Sequence, residues 1–94
     1  MDMQTQFKTA FATWQSIYAA SELAEGTNAE AAACEAENKA LNEMLFTPSA
    51  TGADLAEKFR VFVQREIASW GDADRYVKML IAEASKASFA GRAN

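Results

Sequence analysis

The chain has 94 residues, half of them apolar and ten aromatic, with a single proline and a net charge of −4 at neutral pH. That length buries roughly two-thirds of the surface an unfolded chain exposes, which supports one core, and the composition excludes disordered and collagen-like chains. One cysteine and no histidine exclude an internal disulfide, a thiolate cage and ordinary zinc sites.

From Met3 to Glu25 the residues Met3, Phe7, Ala10, Phe11, Trp14, Ile17, Tyr18 and Ala24 fall within one arc when placed about 100° apart. Lys8, Thr9, Gln15 and Ser16 take the other side. This pattern predicts an amphipathic helix over 3–25, stopped at Gly26, where positive φ is available. Thr27-Asn28-Ala29-Glu30 reads as a capping box. It predicts a second helix over 28–46 and a tight antiparallel hairpin, with Gly26 and Thr27 alone between the helices.

The second helix shows one apolar sector of Ala29, Ala33, Ala36, Ala40 and Met44 and another of Cys34, Leu41 and Leu45, with Glu30 and Glu37 between them. Cys34 is expected as a small core residue, because nearby glutamates would raise the pKa of a reactive thiol. Pro48 then breaks the helical pattern. Thr51, with Asp54 three residues on, caps a third helix over 52–70 carrying Leu55, Phe59, Phe62, Val63, Ile67 and Trp70 on one face. Gly71 and Asp72 interrupt it, Asp72 as a cap. The fourth helix, over 73–90, gathers Ala73, Tyr76, Val77, Leu80, Ile81, Ala84 and Ala87. The expected class is all-α: a single domain over 1–94, folded as a small antiparallel bundle of four helices, or three if the Gly71 joint is only a kink.

The charge is unevenly distributed. Residues 1–47 hold two basic and seven acidic side chains, a net −5, whereas residues 48–94 hold seven and six, a net +1. Duplex nucleic acid, which requires clustered Lys and Arg, is therefore not an expected direct ligand. No apolar run approaches a membrane span and the first residues do not read as a secretion signal, so the expected setting is cytoplasmic, without membrane insertion.

Chemistry is sparse. Without histidine, Ser-His and Cys-His catalysis and the Glu-x-x-His di-iron bundle all fail. The four glycines, Gly26, Gly52, Gly71 and Gly91, stand singly and form no phosphate loop. No catalytic, cofactor-binding or metal-binding residue is assigned, and the chain reads as no enzyme. Glu37 and Glu66 fall within apolar arcs. They are expected to pair with Arg60, Arg65 or Arg75 or to reach water at a rim; the alternative is two inward carboxylates sharing a proton or holding a hard cation. Glu35 and Lys39 are spaced as a stabilising pair on one helix.

The acidic residues Glu22, Glu25, Glu30, Glu35, Glu37 and Glu43 are expected to form a face that meets a protein partner's basic surface, where complementary charge accelerates encounter. Leu23, Phe46, Val61, Met79 and Phe89 point away from their helices' main apolar arcs. Leu23, Phe46, Val61 and Phe89 are the apolar contact candidates, for a partner or for a homodimer seam.

Thr47-Pro48-Ser49-Ala50-Thr51, followed by Leu55 and Lys58, resembles the T-P-A-x-T…L…K segment of small helical proteins of unknown role in alphaproteobacteria and their prophages. The likeness covers roughly residues 30–65, and Ser49 departs from the commoner alanine. It carries over no catalytic residue. It implies a prophage or mobile-element setting, in which small acidic proteins act as stoichiometric inhibitors of host machinery, anti-CRISPR proteins among them. The resulting expectation is a non-enzymatic inhibitor whose acidic hairpin docks on a larger nucleic-acid-binding partner. The alternative is a structural or assembly protein that homo-oligomerises through exposed apolar helix faces.

Overall fold

A computed structural model describes the backbone of residues 2–92 and the side chains of Asp2 and residues 5–86. Among the described residues the structure is all-α, with four helices and no strand: α1 (Met3–Leu23), α2 (Glu30–Phe46), α3 (Gly52–Gln64) and α4 (Ala73–Arg92), plus a 3₁₀ turn at Ile67–Ser69 between α3 and α4. The third and fourth helices are thus separate. Packing divides the chain into two compact units, residues 1–47 and 48–94.

In the first unit, Asp2 caps α1 by accepting the Thr5 N–H at 2.8 Å, which satisfies one of the four amides left free at a helix start. Phe7 and Trp14 lie two turns apart and are buried. They belong to a ladder of rings along α1, with centroids 5.8 Å apart for Phe7–Phe11, 6.0 Å for Phe11–Trp14 and 5.2 Å for Trp14–Tyr18. α2 answers with Glu37, Ala40, Leu41, Met44 and Leu45. The two apolar sectors expected on this helix are therefore one stripe with Glu37 inside it.

Two expectations about the hairpin are corrected. α1 ends at Leu23 and α2 begins at Glu30, so the link is six residues, 24–29, rather than two. Thr27 does not close a capping box: its hydroxyl donates to the Ala24 carbonyl and accepts the Ala29 N–H, a local turn that competes with helix at that position. Gly26 adopts a φ of 79° in this link, the conformation expected of it, but α1 has already ended at Leu23 with Ala24 as its cap. Cys34 is exposed rather than in the core. Burial on α2 starts only at Glu37, because antiparallel pairing sets the large rings of α1 against the 37–45 stretch and leaves the first two turns of α2 uncovered.

In the second unit Thr51 and Asp54 form the expected capping box: Thr51 Oγ1 accepts the Asp54 N–H at 3.1 Å and the Asp54 carboxylate accepts the Thr51 N–H at 3.3 Å. α3 then stops at Gln64, six residues before the expected end. Glu66 adopts left-handed geometry, φ 53° and ψ 39°, and its N–H bonds the Val63 carbonyl. This is the turn that ends many helices, usually with glycine at that position. A glutamate there carries strain of about 1–2 kcal/mol, so Glu66→Gly is expected to raise the thermal midpoint by a few degrees, and a fall would show that the Glu66 side chain itself holds the turn.

The early stop also explains which face of α3 is buried. Ile67 and Trp70 do not share the α3 wheel, and without them the apolar arc rotates. Leu55, Lys58 and Val61 are buried, whereas Phe59 and Val63 are 43% and 74% exposed. On α4, Tyr76 and Leu80 are buried, while Val77 and Ile81, expected on the same apolar arc, are exposed. Trp70 meets Tyr76 edge-on at 5.6 Å, and the Arg65 guanidinium lies 5.7 Å from the Trp70 ring centre. No helix is long and apolar enough to cross a membrane among the described residues.

Candidate functional site

The six acidic residues expected to share one face separate into three groups. Glu22 ends α1, Glu25 lies in the link and Glu30 opens α2, so these three share the tip of the hairpin. Glu35 and Glu43 lie one turn to either side of Lys39 on α2 and are exposed. Glu37 does not belong to the face: it is 3% exposed, and its Oε2 accepts the Trp14 indole N–H at 2.8 Å. One partner of this carboxylate is therefore the indole of its own hairpin. A tryptophan on the facing helix thus satisfies one carboxylate oxygen without any charge. Glu66 is exposed and outside any helix, so it is no inward carboxylate.

None of Glu22, Glu25, Glu30, Glu35 and Glu43 takes part in an ion pair among the described residues. The expected Glu35–Lys39 pair is accordingly absent. Surface pairs of this kind contribute only about 0.3–0.5 kcal/mol, too little to hold two long side chains together. Glu22 stands in the last turn of α1, where the helix dipole is negative and no basic residue offsets it. Helix stability therefore does not explain that charge. Glu30, in the first turn of α2, is explained by the opposite end of the same dipole.

The apolar contact candidates also divide. Leu23 is 84% exposed, beside Glu22 at the tip, and Phe46 is 42% exposed. Val61 is 2% exposed and is withdrawn as a contact, since it faces inward once α3 is read to end at Gln64. Met79 is half-buried. Phe89 lies outside the described side chains.

A polar cluster that the sequence reading missed occupies the second unit. Glu83 of α4 accepts three bonds: the Ser49 N–H at 2.9 Å, the Ser49 hydroxyl at 2.7 Å and the Lys58 ammonium at 2.7 Å. Lys58 is wholly buried, and Asp54 beside the cluster is 6% exposed. Burial pushes the Lys58 ammonium below its ordinary value, against the opposing pull of Glu83 and Asp54. Burial would raise the Glu83 carboxyl, but the bonds from Lys58 and Ser49 outweigh it and hold the group below its ordinary range. The block Thr47 to Thr51 with Leu55 and Lys58 thus acquires a structural meaning in this chain. Ser49 and Lys58 tie the turn and α3 to α4, Thr51 caps α3, and Leu55 is buried.

The first unit also carries a groove of about 340 Å³ between α1 and α2, lined by Gln6, Thr9, Ala10, Thr13, Ala40, Glu43 and Thr47. Among the described residues no three His, Cys, Asp or Glu side chains converge in a way that could hold a metal ion. Comparison with protein-family models, with curated proteins and with solved structures finds no match.

Proposed function

We propose that this chain is a non-enzymatic binding protein whose first helical hairpin docks through its glutamates on the basic surface of a larger protein. One observation carries the reading: five exposed carboxylates of the first unit have no ion-pair partner among the described residues, while the second unit pairs Lys58 with Glu83, Arg60 with Glu57 and Arg75 with Asp72. Charges left without internal partners are free to select an external one, because complementary potential sets encounter rate and specificity. The resemblance of the Thr47–Thr51 block gives the reading its finer form, a stoichiometric inhibitor of nucleic-acid-handling machinery of the anti-CRISPR kind in a prophage setting.

Affinity capture from a cell lysate tests this directly. Capture at about 50 mM salt is expected to fall at least tenfold at about 500 mM, because exposed charges are screened beyond a few ångströms there. Capture that is equal at both concentrations would contradict the reading. A second reading, homo-oligomeric assembly, is favoured by the exposure of Phe59 and Val63 on α3 and of Val77 and Ile81 on α4. A mass on sizing that rises with concentration selects assembly, and a constant monomer mass selects docking.

A further inference from the structure

The groove between α1 and α2 has a lining whose chemistry is one-sided. Among the described residues its one charged side chain is Glu43, and no lysine or arginine lines it. Glu43 forms no ion pair among the described residues, although Lys39 lies one turn earlier on the same helix. The hydroxyls of Thr9 and Thr13, one turn apart on α1, have no hydrogen-bond partner among the described residues. Ala10 and Ala40 give the groove a methyl-lined floor.

The groove also sits at the end of α2 that favours a cation. The last turn of α2 holds no basic residue, so no side chain of that turn complements the negative end of its dipole. Thr47 Oγ1, at the same end, donates to the Glu43 carbonyl. Carboxylate, hydroxyl oxygens and helix C-terminus therefore all call for donors carrying positive charge. The volume lies at the lower limit of ligand pockets, about 300–1,000 Å³, room for one long side chain.

We propose that this groove seats an arginine side chain of the basic protein partner, with Glu43 as its carboxylate and Thr9 and Thr13 as further acceptors. The inference rests on the docking reading above and names where one residue of that partner goes. Arginine fits better than lysine: its planar fork presents five donors that meet a carboxylate and two flanking hydroxyls together, whereas an ammonium is a compact and more strongly hydrated point charge. The apolar stem lies along the alanine floor, as long basic side chains do on apolar surface.

The test is a titration of the full-length, ¹⁵N-labelled chain with the capped tripeptide Gly-Arg-Gly at low salt, followed by amide shifts. Its Gly-Lys-Gly and Gly-citrulline-Gly counterparts serve as comparison. The proposal expects saturable shifts centred on Thr9, Thr13, Glu43 and Thr47 with the arginine peptide, weaker shifts with lysine and none with citrulline. Glu43→Gln should weaken binding roughly tenfold, the loss of one charge-assisted hydrogen bond, and Thr13→Val a few-fold, while Glu35→Gln leaves it unchanged. Glu43 is exposed, so the variant keeps its fold. Arginine-dependent shifts centred on Glu22, Glu25 and Glu30 would overturn the groove assignment and leave the docking reading standing. An equal effect of Glu35→Gln and Glu43→Gln would do the same. No arginine- or lysine-dependent shift anywhere would overturn both.

Discussion

Replacing Glu83 by alanine is expected to destabilise residues 48–92 by about 1–3 kcal/mol, the range for leaving a buried hydrogen-bonding group without one of its partners. Lys58 would keep its charge with no exposure to water and lose its 2.7 Å contact, and Ser49 would lose two bonds to α4. Lys58→Met should cost less, because it removes the buried charge together with its partner's demand and leaves Glu83 bound to Ser49. A double-mutant cycle reads the coupling. Each unit has its own tryptophan, Trp14 in the first and Trp70 in the second, so the two indole N–H resonances report the units separately. Loss of the Trp70 signal at lower denaturant in Glu83→Ala is the predicted result; a midpoint equal to the parent would show that the cluster contributes nothing.

The same cluster gives an acid-side pH dependence. The folded Glu83 carboxyl lies below its ordinary value of 4.5, so the unfolded chain takes up this proton first as pH falls. Its contribution is complete above about pH 4.5 and is lost as pH drops through the folded value. Glu83→Gln should flatten that part of the stability curve.

Trp14→Ala is expected to cost about 3–5 kcal/mol in the first unit, the usual loss for a buried tryptophan. Two effects combine: a ring that is 3% exposed leaves the ladder, and Glu37 loses the indole donor at 2.8 Å. Glu37→Gln should cost less than Glu37→Leu, because its carbonyl oxygen can still accept the indole N–H, whereas Glu37→Leu leaves that N–H buried without an acceptor. Denaturant titrations of the three variants check the order Trp14→Ala, Glu37→Leu, Glu37→Gln from most to least damaging. A Glu37→Gln variant as unstable as Trp14→Ala would mean that the carboxylate's charge, not its hydrogen bond, holds the hairpin.

Much of the fold was legible in the residues. The aromatic spacing of α1, the break at Pro48 and the Thr51–Asp54 box each have one reading in local chemistry. The errors have local causes as well. Glu66 ends α3 in the left-handed geometry that glycine normally announces, so the wheel ran on to Trp70 and rotated the inner face. The expected α3 arc omits Lys58; treated as an apolar stem with a paired head, Lys58 aligns with Leu55 and Val61 and points to the observed face. Its partner Glu83 is 25 residues away, and no local pattern links the two. In the first unit Glu37 was recognised within an apolar arc, but its partner required the facing helix. The acidic residues were legible as composition and not as a face, because the long link and the early end of α1 distribute them among the tip, the exposed positions of α2 and the buried Glu37.

The docking account turns on the tip carboxylates, and charge reversal there tests it most directly. Glu22→Lys, Glu25→Lys and Glu30→Lys are introduced together, with Asp74→Lys on α4 as the control, and capture from lysate is compared at low salt. The account predicts that the triple variant retains the parent's Trp14 indole resonance but loses at least nine-tenths of the captured partner, while the control keeps it. A folded triple variant that captures the same partner in undiminished amount would contradict the account.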